Sequence, residues 1–252
     1  MKNLWITAFA AILTIGCKEK TTNTSKEQPM ENAKTEMTTS SEQGEWKVLF
    51  DGTNFDAWKG YGQEGVEDAW KIEEGAMVFY PPKKRKEGAN YNLVSKEEFR
   101  NFVLSIDWKI SEGGNSGIFW GVQEIPSLSE AYQSGPEIQV LDNEKHPDAK
   151  NGTTHQAGAL YDMIAPSKDV TKPVGEWNTF VITVNHDTNK GSVVLNDELI
   201  VEFPVNGEPW NEMVEKSKFK GWEHFGKYAT GKIGLQDHGD IVAFKNIKIK
   251  SL

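Results

Sequence analysis

The chain has 252 residues and a formal net charge of −9. A negative surface argues against nucleic acid and anionic lipid headgroups as partners. The single cysteine, Cys17, excludes an internal disulfide and a cysteine-built metal site, so packing alone must hold the fold.

The first 16 residues place Lys2 ahead of an apolar run from Leu4 to Ile15. That run is shorter than the roughly 20 residues a bilayer span requires and reads as a secretory signal. Leu13-Thr14-Ile15-Gly16-Cys17 resembles a lipobox, in which the cysteine is lipidated and becomes the mature N-terminus. The expected organisation is a lipoprotein signal peptide over 1–16, a flexible tether over 17–44 and a folded domain over 45–252. The expected location is the bacterial cell envelope, anchored through Cys17 in the periplasm or on the outer-membrane surface. Residues 18–44 are polar, without an aromatic, and cannot offset their ordering entropy by burial.

Composition changes at Trp46: eight of the nine tryptophans lie between Trp46 and Trp222. Trp70 to Phe79 reads as a hairpin turning at Glu74-Gly75. Phe102, Leu104, Ile106, Trp108 and Ile110 alternate with more polar residues, which is strand period with one apolar face. Phe180 to Asn185 has the same period. Ser192 to Leu195 and Leu199 to Phe203 flank Asn196-Asp197, a hairpin signal. Pro209 to Phe219 is the one helical stretch, and Ile241 to Ile249 reads as a last strand. Many short strands with glycine-rich turns predict an all-β sandwich of two antiparallel sheets.

In Pro136 to Asp142, Ile138 and Val140 share the core face, while Glu137 and Gln139 share the other. Glycines flank three further polar segments: Gly113-Gly114-Asn115-Ser116-Gly117, Thr153-Thr154-His155 before Gly158, and Gly234-Leu235-Gln236-Asp237-His238-Gly239. Glycine so placed predicts close backbone approach to a ligand. Phe119 falls on the glycine-lined face and, with Tyr161, is a candidate platform for a sugar ring. Trp108 and Trp120 are expected in the core.

These segments carry a resemblance. Trp46-x-x-Leu49-Phe50-Asp51-Gly52-Thr53 with Trp58 is similar to the opening of the 3-keto-disaccharide hydrolase domain family. Gly113 to Ile118, Glu137-Ile138-Gln139, Gly158 to Tyr161, Gly175-Glu176-Trp177-Asn178, Gly234 to Gly239 and Phe244 to Ile249 follow in the family's order. The resemblance covers Trp46 to Leu252. It implies a concanavalin A-like jelly-roll β-sandwich and cleavage of glycosides already oxidised at C3, with a carbohydrate as the partner.

A ketone at C3 acidifies the hydrogen on C2. A base removes that proton, donors stabilise the enolate oxygen, and the group at C1 is expelled. Such a route needs no carboxylate nucleophile. A retaining glycosidase, by contrast, places two carboxyl groups about 5–5.5 Å apart. Here Glu137 shares its strand face with an amide, and Asp142 has the opposite parity. The candidate catalytic residues are therefore Glu137, His155 and His238, with roles interchangeable at this stage. Asn115, Gln139, Phe119, Tyr161, Gln236 and Asp237 are the candidate substrate-binding residues. His146 is expected at the surface and His186 is expected to be structural, while His224 is unassigned. No His-x-His or His-Glu-x-x-His spacing signals a metal, and no cofactor is expected, although the oxygen-rich loops leave calcium open. Two other readings stay open: a non-catalytic carbohydrate-binding lipoprotein and an ordinary glycoside hydrolase on the same fold.

Overall fold

A computed structural model describes residues 44–85 and 87–252. The expected signal peptide, Cys17 and the tether up to residue 43 lie outside the described residues. The strands are β1 (Lys47–Phe50), β2 (Trp58–Gly60), β3 (Trp70–Glu73), β4 (Ala76–Phe79), β5 (Leu93–Phe99), β6 (Phe102–Ile110), β7 (Asn115–Val122), β8 (Glu137–Leu141), β9 (Asn178–Asn185), β10 (Lys190–Leu195), β11 (Glu198–Phe203), β12 (Gly231–Leu235) and β13 (Val242–Ser251). Among the described residues one α-helix, α1, spans Gly207–Glu215. It begins and ends earlier than the sequence pattern suggested.

The strands form two antiparallel sheets. The larger runs β11-β10-β9-β6-β13-β4-β3, with β1 also on β13; the smaller runs β2-β5-β12-β7-β8. Both expected hairpins are present. Glu74 and Gly75 take φ of 50° and 74°, and Asn196 and Asp197 take 49° and 69°. Two successive left-handed residues match the right-handed twist of the flanking strands, which favours Gly, Asn and Asp there. On β6, apolar residues at every second position are buried and the intervening ones are partly exposed. Trp108 stacks on Phe180 at 5.4 Å, and Trp120 packs at a tilt against Phe203 at 5.6 Å. Both tryptophans are therefore core residues.

The outer face of the smaller sheet has two halves with different occupants. Phe119 lies on this face, opposite Glu137 on β8 and Gly234 on β12. It does not form a sugar platform: it is 0 % exposed and packs in a small core with Tyr61, Val94, Val122 and Ala131. Gly121, at φ 65°, breaks the strand alternation, so Val122 joins Phe119 on the outer face. A Cβ at Gly135 or Gly234 would crowd the Phe119 side chain, at 3.1 and 3.0 Å. Those glycines make room for a phenylalanine, not for a ligand. The other half of the face is polar and holds the residues described below.

Phe119→Ala should therefore destabilise the domain by about 3–5 kcal/mol, the usual cost of emptying a buried phenylalanine site. Denaturant unfolding checks this. A variant of unchanged stability that loses only sugar binding would return Phe119 to the ligand face.

Candidate active site

β8 is the edge strand of the smaller sheet, and its free edge is covered by the segment around Gly158 to Tyr161. The Gln139 amide donates to the Ala159 carbonyl at 3.1 Å, the Gly158 amide to Gln139 at 2.8 Å, and the Tyr161 amide to Glu137 at 3.0 Å. This pairing explains the Gly158-Ala159-Leu160-Tyr161 motif and sets Tyr161 beside Glu137. Gly158, at φ 85°, also leaves room for Ile200, so its role is structural.

Glu137 is 6 % exposed. Its carboxyl lies over Gly117, where any Cβ would overlap Glu137 Oε1. The close approach at Gly117 is thus to a side chain of the chain itself. Burial pushes the Glu137 carboxyl up to about 8, against a downward pull from the Lys218 charge and an upward push from Asp148. A carboxyl removed from water resists ionisation.

Glu137 lines a cleft of about 310 Å³ with Asn115, Gln139, Tyr161, Gln236, His238, Lys218, Tyr132, Phe219 and Trp222. Larger hollows, of about 390 to 610 Å³, lie elsewhere. None of them is lined by Glu137 or by a histidine, whereas the smaller cleft holds both Glu137 and His238. The cleft gathers most of the expected binding residues. Ser116 Oγ donates to the Gln236 carbonyl at 2.7 Å, and the Gln236 amide donates to Gly117 at 2.9 Å. These bonds seat Gln236 against β7. Asn115 Oδ1 and Gln236 Oε1 are buried without a hydrogen-bond partner among the described residues. Buried orphan acceptors are costly unless a ligand, ion or water satisfies them. His238 stands at the cleft mouth. Its outer side is exposed, yet the crowding of its ring and the nearby His146 hold its pKa below the usual imidazole value.

Lys218 comes from the loop beyond α1 and was not anticipated. Its ammonium sits 4.1 Å from the centre of the Tyr161 ring, and among the described residues it makes no ion pair. Tyr132 and Trp222, with ring centres 6.0 Å apart, supply the aromatic wall expected of Phe119. Tyr161 stays neutral: burial, the first cause, and the Asp148 charge push its hydroxyl far up.

Two expected site residues serve the scaffold. His155 places Nδ1 3.0 Å from Asp148 and Nε2 3.1 Å from Asp162, so both ring nitrogens are engaged. It is absent from the cleft lining and cannot act as the free base. It holds Asp148, which also accepts from Tyr161 Oη at 3.0 Å and so fixes the phenol. Burial raises the Asp148 pKa, but hydrogen bonds from Asn151, His155 and Tyr161 outweigh it and leave a depressed value. Asp237 does not face the cleft either. It takes two hydrogen bonds from Arg85, at 2.8 and 2.7 Å, and one from the Tyr91 amide at 3.0 Å. Asp142 accepts from the backbone of Gly113, Glu144 and Lys145, which makes it a loop anchor. His146, expected at the surface, has its ring 6.0 Å from that of His238.

A glycine-backed carboxyl, an ammonium without an ion pair among the described residues and an aromatic wall thus meet on one face of a jelly-roll sandwich. The family model for the 3-keto-alpha-glucoside-1,2-lyase-like domain matches residues 45–250. The chain belongs to this family. It is 40% identical over 229 residues to a 3-keto-disaccharide hydrolase of Bacteroides thetaiotaomicron, covering 81% of this chain and 78% of that one. A crystal structure of a candidate glycosyl hydrolase from Parabacteroides distasonis superposes with a TM-score of 0.74 at 31% identity, covering 83% and 94% of the two chains. A Bacillus subtilis protein with a galectin-like fold superposes with a TM-score of 0.52 at 11% identity, covering 83% and 97%, a likeness of fold alone.

Gly117→Ala should displace the Glu137 carboxyl while leaving the sandwich folded. Turnover should fall by about 10²-fold or more, the scale of a misplaced acid–base group, with the circular dichroism spectrum unchanged. Full activity in this variant would show that Glu137 is not held by the glycine.

Proposed function

We propose that this protein is a carbohydrate-active hydrolase that cleaves glycosides oxidised at C3, by elimination across C1–C2 followed by addition of water. The observation that carries the reading is the buried carboxyl of Glu137, the one carboxyl in the lining of the cleft, together with the Lys218 ammonium, which makes no ion pair among the described residues. A two-carboxylate glycosidase is poorly supported by such a site. Gln139 is an amide, Asp142 caps a loop, and both oxygens of Asp148 are engaged.

The steps follow from the acidity of the keto sugar. Ionised Glu137 takes the C2 hydrogen, and the electron pair moves into the C2–C3 bond and onto the keto oxygen. Lys218 and the amide groups of Asn115, Gln139 and Gln236 stabilise that oxygen and hold the hydroxyls. The pair then returns to form the C1–C2 double bond as the C1–O bond breaks. C1–O is adjacent to C2–H, so the proton now on Glu137 or a group near His238 can pass to the leaving oxygen. Water adding across the double bond gives the free keto sugar. Tyr132 and Trp222 pack against the apolar C–H faces of the ring.

The same reading keeps the lipobox at Cys17 as the anchor, so the domain works in the cell envelope on sugars that reach it there. Its relative from Bacteroides thetaiotaomicron supports the substrate class by name.

The test is incubation with a 3-keto-glucoside beside its unoxidised parent, following products by mass. Only the keto compound should be cleaved. Glu137→Gln should lower turnover about 10²–10⁴-fold while binding persists. As the base must be ionised, kcat/KM should rise with pH through about 8. Lys218→Met removes the charge that pulls this value down, so the rising limb should move to higher pH and turnover should fall. Binding without turnover on either sugar would establish a lectin-like protein. Equal cleavage of both would establish an ordinary glycosidase.

A further inference from the structure

We propose that His146, His238 and Asp240 form a divalent-cation site at the mouth of the cleft, selective for a first-row transition ion such as Zn²⁺, Mn²⁺ or Co²⁺. One ligand atom from each lies within 4.8 Å of the other two. Three atoms so spaced share a point within about 2.8 Å of each, so closure by under an ångström apiece reaches the usual metal distances of about 2.0–2.2 Å. The residues come from separate loops, after β8 and before β13, and loops at a strand end can make that movement.

The second observation is independent of the cluster. Asn115 Oδ1 and Gln236 Oε1 are carbonyl oxygens with no partner, on residues 3 % and 8 % exposed, and both line the cleft that His238 lines. Two buried acceptors without a donor among the described residues are of the kind that an ion, an ordered water or a ligand satisfies. Asn115 also abuts the cluster directly, because its backbone amide donates to Asp240 Oδ2 at 3.1 Å. That bond orients the carboxylate and leaves its other oxygen free to ligate, as outer partners commonly do.

The donor set decides the class of ion. Two imidazoles and one carboxylate suit zinc, manganese, cobalt or iron, whereas calcium prefers six to eight oxygens. Three protein ligands leave coordination positions open for substrate. His146 now uses Nδ1 to accept the Asp148 amide at 3.1 Å. Ligation through either nitrogen gives up that one neutral hydrogen bond. On the function proposed above, an open position would take the keto oxygen of the sugar and polarise it as a Lewis acid. That consequence rests on the proposed reaction, whereas the site itself does not.

The test is metal binding by tag-free, chelator-treated full-length chain, read by calorimetry with Zn²⁺ and by the visible absorption of Co²⁺. One equivalent should bind. His238→Ala, His146→Ala and Asp240→Asn should each weaken binding about tenfold or more, while His155→Ala should retain it. Melting curves of each variant verify folding. Substoichiometric binding, unchanged affinity in both His238→Ala and Asp240→Asn, or tighter binding of Ca²⁺ than of Zn²⁺ would overturn the proposal. These readouts need no substrate, so a failed metal site and a failed keto-sugar reaction are told apart.

Discussion

The site depends on one close approach, the Glu137 carboxyl lying over Gly117. No other residue type fits at position 117 without displacing the acid. The contact keeps the carboxyl away from water, and lost solvation pushes its pKa to about 8. The linkage to stability has a definite sign. The folded state holds this proton more tightly than the unfolded chain, whose carboxyl titrates near 4.5. The contribution to stability is thus complete below that value and is lost as pH rises through about 8. A site that needs Glu137 ionised therefore works where the fold is weakened, a common tension at catalytic groups.

The surroundings can be understood as support for that one group. The edge of β8 is sealed by the Ala159 and Tyr161 backbone, which fixes the strand that carries Glu137. Tyr161 is held by Asp148, Asp148 by His155, and His155 in turn by Asp162. Asp162 accepts the Lys218 amide at 2.6 Å, so the chain of contacts ends at the residue whose ammonium faces Glu137. A base and its counter-charge are thus tied to one another through the scaffold, although they lie 81 positions apart in sequence.

The sandwich was legible because its signals are local. Strand alternation on β6, the paired turn residues at Glu74-Gly75 and Asn196-Asp197, and the scarcity of helix each act within a few residues. The face of Glu137 and Gln139 was legible for the same reason. Phe119 was misread because alternation assigns a face but not what covers it, and the loop carrying Ala131 covers half of this one. His155 and Asp237 stood in polar, glycine-flanked segments, yet Asp148 and Asp162 close on His155 from seven residues to either side of it, and Arg85 reaches Asp237 from a distant loop. Lys218, Trp222 and Tyr132 carried no motif at all. Only the path of the loop after α1, and of the loop before β8, brings them to the cleft. Nothing in the sequence linked His146 to His238 and Asp240, which are about 90 positions away.

The central claim is that Glu137 keeps its proton near neutral pH inside the folded domain. Infrared difference spectra of the wild type against Glu137→Gln, recorded across pH, isolate that single carboxyl. The account predicts a protonated carboxyl band that disappears with a midpoint near 8. A band already lost below pH 5 would mean that Glu137 is solvated and ionised, and the proton chemistry assigned to the cleft would have no source.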